Sequence, residues 1–139
     1  MEIEPTIPPS VIFSDGVIRE ERTGKLTLVG TFHHFNPPTP FPFRPPPFFI
    51  TVSLSNFRGK LDGFKIAIRI EDKSSGYVVF SAAGEISTSN VLSPSDTVQI
   101  PFQVMAEFPR GGLYAVVILE GSEPIGSRDL IVIEPKTAA

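Results

Sequence analysis

The chain contains no cysteine and no tryptophan, and only two histidines and two tyrosines. The lack of cysteine excludes a disulfide framework, a thiolate zinc site, an iron–sulfur cluster and a cysteine nucleophile. Charge is sparse, at 19% of residues, with 12 Lys and Arg against 15 Asp and Glu and a formal net charge of −3. That balance disfavours a polyanionic partner, so no nucleic acid is expected. Long apolar runs are missing too. The longest extends only from Leu113 to Leu119, far short of the ~20 residues that span a bilayer, so no membrane partner is expected. The opening carries Glu2 and Glu4, with no basic group and no apolar run after them. It does not read as a secretory leader, and the expectation is a cytoplasmic protein.

What is present is an ordinary globular composition, 41% hydrophobic over 139 residues, which suits one domain. Residues 1–9, with Pro5, Pro8 and Pro9, read as an extended N-terminal arm, 10–134 as a single domain, and 135–139 as a tail. Within the domain, apolar residues recur at every second position. Phe64, Ile66, Ile68 and Ile70 alternate with Lys65, Ala67 and Arg69; Val98, Ile100, Phe102 and Val104 alternate with Gln99, Pro101 and Gln103. Period two puts each apolar set on one strand face, and no segment has a helical period.

Turn-forming clusters at 21–24, 59–63, 72–76, 109–112 and 121–124 divide these runs. Strands are expected near 10–14, 17–21, 25–35, 48–57, 64–72, 77–87, 97–106, 113–120 and 126–134. The expected fold is all-β, an antiparallel two-sheet sandwich of immunoglobulin-like architecture whose last two strands form a central hairpin. Pro101 cannot donate to a ladder, which places its strand at an edge or a bulge.

Residues 13–35 carry a denser pattern: Asp15, Val17, Ile18 and Glu20, then Gly24, Lys25, Leu26, Thr27, Leu28, Val29 and Gly30. It resembles the opening of an uncharacterised family of small bacterial proteins, in which aromatic-Cys-Asp-x-Val-Ile precedes Gly-Lys-x-Ser/Thr-Leu-Ile/Val-Gly. The family often continues with a Phe-Pro segment, matched here by Phe41-Pro42. Ser14 stands where cysteine is common, so any thiol chemistry of relatives does not carry over. The resemblance implies a compact β domain without an assigned activity and lends no catalytic residue.

Few residues suggest chemistry. His33 and His34 would point to opposite faces of a strand and could not share one ion without a bulge. No Gly-x-Ser-x-Gly elbow, phosphate loop or dinucleotide fingerprint occurs. The acidic pairs Glu20-Glu21 and Glu71-Asp72 read as solvated strand ends. Asp15, Asp62, Asp72, Asp96 and Asp129 fall near loops but lack the spacing of a calcium loop. No catalytic residue, metal ligand or cofactor is expected.

Two features point to contacts instead. Seven of the twelve residues of 36–47 are proline, a crossover loop favouring polyproline II with Phe41 and Phe43 interleaved. Its Pro-x-x-Pro spacing could meet an aromatic groove; the plainer alternative lays both rings on the protein's own sheet. The strand 113–120 is apolar on both faces: Leu113, Ala115, Val117 and Leu119 form one row, Tyr114, Val116 and Ile118 the other. A two-layer domain buries only one row between its sheets. Covering three large side chains contributes roughly 1.5–3 kcal/mol each. Tyr114, Val116 and Ile118, joined by Val29, Phe41 and Phe43, are therefore the expected partner-binding residues. The function expected is a non-enzymatic interaction or scaffold module that self-associates through a sheet face, as a homodimer or with another protein. A small-molecule or carbohydrate-binding domain is the alternative, handicapped by the lack of Trp.

Overall fold

A computed structural model of the chain describes residues 10–38, 40–55, 59–88, 90–93 and 95–134. The expected arm over 1–9 and tail over 135–139 lie outside the described residues. The strands are β1 (Ser10–Arg19), β2 (Leu26–Phe32), β3 (His34–Phe35), β4 (Phe48–Leu54), β5 (Phe64–Asp72), β6 (Val78–Ile86), β7 (Val98–Val104), β8 (Gly112–Glu120) and β9 (Glu123–Val132). Among the described residues there is no helix. The strands form two sheets packed together, one ordered β2-β1-β4-β7 and the other β3-β9-β8-β5-β6. Every pairing is antiparallel except β3 with β9.

Alternation builds the core as the periodicity requires. Phe64, Ile66, Ile68 and Ile70 of β5 meet Ile50, Val52 and Leu54 of β4 in one buried cluster. Aromatic rings extend it to one end: Phe32, Phe35 and Phe48 are mutual neighbours at 4.9–5.6 Å between centroids, and Phe108 lies edge-on to Tyr114 at 5.0 Å. Pro101 occupies the middle of β7, an edge strand of the four-stranded sheet, where a missing donor faces no neighbour. β8 and β9 form the expected hairpin inside the five-stranded sheet.

The structure departs from the sequence reading at three places. Residues 10–14 and 17–21 are not two strands, because β1 runs unbroken through Asp15-Gly16 while pairing with β2. The expected strand 25–35 breaks at His33, and its last two residues join the opposite sheet beside β9. The rows of β8 are exchanged. Tyr114, Val116 and Ile118 are completely buried between the sheets, whereas Ala115, Val117 and Leu119 form a small outer cluster with Ala67. The bulkier row fills the interior. The outer row is covered by flanking strands, where Arg69 and Ser127 lie opposite Val117 and long side-chain stems shield apolar neighbours.

A polar anchor closes the loop end. Tyr114 donates its hydroxyl to the Arg110 carbonyl at 2.6 Å. Arg110 clasps Asp72 with Nε at 2.7 Å and Nη2 at 2.9 Å, and Asp72 also accepts from the Ser74 amide and hydroxyl. The Arg110 hydrogen bonds, followed by the Ser74 amide, lower the Asp72 pKa to about 2. Burial raises the Tyr114 phenol above its ordinary value.

Candidate interaction surface

The six residues expected to bind a partner are not brought together. Tyr114, Val116 and Ile118 are core, and Phe43 is 8% exposed. Their membership of a docking surface is therefore corrected: an inner row of a central strand has no free face. The Phe43 amide donates to the Phe108 carbonyl and its own carbonyl accepts from the Phe108 amide. Phe41 is half-buried and packs against the core. Val29 alone is exposed, at 45%.

Val29 lies on a surface that the sequence reading did not assemble, the outer face of the four-stranded sheet. Strand alternation and pairing define its rows. β1 contributes Ser10, Ile12, Ser14, Gly16 and Ile18. β2 contributes Thr27, Val29 and Thr31 beside them. β4 adds Phe49, Thr51 and Ser53, and β7 adds Gln99, Pro101 and Gln103. None of these residues is charged. Ile18 is 59% exposed, and Ile12 and Phe49 are half-buried without packing on the core. Ser14 and Thr51 are nonetheless buried, and the Thr51 hydroxyl has no hydrogen-bond partner among the described residues. Charges begin at the margins, with Glu20 and Lys25 at the β1–β2 turn and the Arg44–Glu107 pair at 3.6 Å beyond β7.

The β1–β2 end of this face is shaped by two glycines. Gly24 has φ +70°; its amide donates to the Glu20 carbonyl, and the Glu20 amide donates to the Lys25 carbonyl. This is a glycine β-bulge, which needs a left-handed residue at its first position. Gly30 has φ +67° opposite Asp15, and an added Cβ would stand 2.5 Å from an Asp15 carboxylate oxygen. β4 pairs with β1 only as far as Ser14. Residues 15–30 therefore extend past β4 as a two-stranded ribbon, with Ile18 and Val29 on the uncharged side.

The outer face of the five-stranded sheet is different. Lys65, Arg69, Glu71, Glu85 and Asp129 stand on its rows, with ion pairs Arg69–Glu71 at 2.9 Å and Lys73–Asp129 at 3.2 Å. Such a surface is compatible with water. It carries an apolar margin at Leu113, Ile131 and Ile133, each 39–47% exposed.

The histidines do not assemble a reactive group. His33 Nδ1 accepts from Arg128 Nη2 at 3.0 Å, and His34 Nε2 faces the Asn36 amide at 3.2 Å. Arg128 also donates to the Val11 carbonyl and lies 4.5 Å over the Phe13 ring, linking the two sheets. Among the described residues no three His, Asp or Glu converge on a metal-sized space. An open depression of about 450 Å³ gathers Asp62, Lys65, Glu120 and Glu123. A cleft of about 310 Å³ lies between Pro45, Pro47 and Met105. Neither contains a histidine or a buried unpaired charge. Among the described residues no helix is long and apolar enough to cross a membrane.

Ile12, Ile18 and Phe49 were missed because each was read within its own strand. A signal was available: 26–32, 45–57 and 97–106 contain no charged residue.

Fold and surface together define a two-layer, mainly antiparallel β domain with one neutral and one charged sheet face. The chain belongs to DUF6941, a family of unknown function whose model matches residues 9–133. No curated protein matches it.

Proposed function

We propose that this protein is a non-enzymatic interaction module that docks another protein on the outer face of its four-stranded sheet. One observation carries the reading: the outward rows of β1, β2, β4 and β7 hold no charge while exposing Ile18 and Val29. Protein interfaces deplete charged residues at their centre and keep them at the rim, and this face has charge only at its margins. The architecture in this reading is an immunoglobulin-like sandwich. Support comes from the parallel β3–β9 pairing beside the β8–β9 hairpin, and from Tyr114, whose hydroxyl bonds the backbone four residues upstream, as a tyrosine corner does. In the same reading, residues 36–47 form a proline-rich crossover resting on its own domain. A bacterial, cytoplasmic protein with the motif-bearing opening completes it.

The test is site-specific photo-crosslinking in the producing cell, with the probe at Val29 or at Ser127 on the charged sheet. Adducts to protein from Val29 and none from Ser127 are expected. Equal labelling, or labelling from Ser127 alone, overturns the assignment.

A further inference from the structure

We propose that the open edge of β6 is a pairing edge, taken by the β6 strand of a second copy running antiparallel to it about a two-fold axis. This edge belongs to the five-stranded sheet, so the contact neither uses nor rests on the neutral face. The ladder itself shows which groups are open. The Gly121 amide donates to the Lys65 carbonyl, so odd-numbered residues of β5 bond towards β8 and even-numbered ones towards β6. At the far end the Asp72 amide donates to the Tyr77 carbonyl and the Lys73 amide to the Leu113 carbonyl, in agreement. Ile66, Ile68 and Ile70 therefore bond to Gly84, Ala82 and Phe80, which lie opposite them. Ser81, Ala83 and Glu85 turn their amides and carbonyls away from the sheet. Among the described residues no strand and no backbone group bonds them there.

Natural sheets guard such rows with proline, lysine, bulges or very short strands, and the other edges of this fold are guarded. β7 holds Pro101, β3 has only two residues, and the left-handed Gly30 interrupts β2. The part of β9 that β3 leaves uncovered carries Pro124, and Arg128 reaches out from it to the Val11 carbonyl. β6 is bulged only at Val79, where its register with β5 shifts. From 80 to 86 it runs regularly, without a proline or a basic residue. An unguarded row of this kind is a template for another strand.

That stretch fits itself. One antiparallel register uses the whole of 80–86, with Ala83 opposite Ala83 of the second copy. The open residues then meet as hydrogen-bonded pairs, Ala83 with Ala83 and Ser81 with Glu85, giving about six bonds between the chains. On the inward side Phe80 meets Ile86 and Ala82 meets Gly84. Phe80, Ala82 and Ile86 are half-buried at the margin of the core, so each covers apolar surface of the other chain. A Cβ added at Gly84 would meet nothing within 4 Å, which leaves room for the incoming Ala82. On the outward side Glu85 faces a serine hydroxyl that can donate to it, and no like charges stand opposite. A slip one way runs onto the Val79 bulge, and a slip the other way runs past the strand end at Ile86. Each chain has one such edge, so the assembly closes at two.

The chain has no cysteine, so a single introduced thiol reports its own neighbour. Full-length Ala83→Cys is expected to form an interchain disulfide with diamide, because Cα atoms of a hydrogen-bonded pair lie about 5.5 Å apart, within disulfide reach. Val29→Cys and Ser127→Cys, on the two outer sheet faces, are expected to stay unlinked. Sedimentation velocity of the wild type is expected to show a dimer. Ala83→Pro removes an outward amide while sparing the ladder to β5, and Ser81→Glu sets like charges opposite each other. Each is expected to weaken the dimer about ten-fold or more, with an unchanged circular dichroism spectrum. A wild type that stays monomeric at about 100 μM overturns the inference. So does a dimer locked through Val29→Cys or Ser127→Cys but not through Ala83→Cys, or one that neither Ala83→Pro nor Ser81→Glu weakens. A photo-crosslinker at Ala83 that captures only a different protein in cells overturns the second copy as occupant.

Discussion

Tyr114 combines two roles, since its ring fills the core against Phe108 while its hydroxyl closes the loop before β8. Tyr114→Phe keeps the packing and strands the Arg110 carbonyl, so a loss of about 1 kcal/mol is expected in urea unfolding. Its neighbour Asp72 makes stability depend on pH. A carboxylate held at about 2 in the folded chain, against 3.8 ordinarily, stabilises above pH 4 and loses that contribution as the pH falls through 4 towards 2. Asp72→Asn is expected to lower stability at neutral pH and to flatten this acid limb, which pH-resolved thermal unfolding would reveal. Among the described residues the buried Thr51 hydroxyl has no partner, a defect of about 1–3 kcal/mol. Thr51→Val should raise the melting temperature by about 3–4 °C. Gly30→Ala moves the other way, by about 1–3 kcal/mol, because it forces a left-handed alanine against Asp15.

At the scale of elements, the alternating strands were readable because one face of each is unmistakably apolar. Pro101 marked its own edge strand because proline is excluded from interior ladders. The exchange at β8 was not readable: both rows are apolar, and only the choice of neighbours decides which one faces inward. The break at His33 was equally hidden. Nothing in Thr31-Phe32-His33-His34-Phe35 says that Phe32 will pack at a tilt against Phe13 in one sheet while Phe35 pairs beside Val132 in the other. The segment around Phe43 is held by its two backbone bonds to Phe108 and by rings on both sides. Phe108→Ala should therefore cost about 3–5 kcal/mol and release residues 41–45 to faster amide exchange, measurable by mass spectrometry.

For the whole molecule, one core cluster spans both sheets from Val11 to Val132, so unfolding is expected as a single transition. Coincident denaturation curves from far-ultraviolet dichroism and tyrosine fluorescence would bear this out, and separate midpoints would contradict it. The candidate surface was only partly legible in sequence. Val29 pointed to it, but the face is a sum over four strands, and their adjacency emerges only when β1 lies between β2 and β4.

The uncharged outward rows have one more consequence, for control. A contact made only of methyl, phenyl, hydroxyl and amide groups contains nothing for protons to titrate and little for ions to screen. Its occupancy would be nearly indifferent to acidity and to salt. The quantity left to govern it is abundance, so occupancy of the proposed contact would follow how much of the protein and of its partner is made.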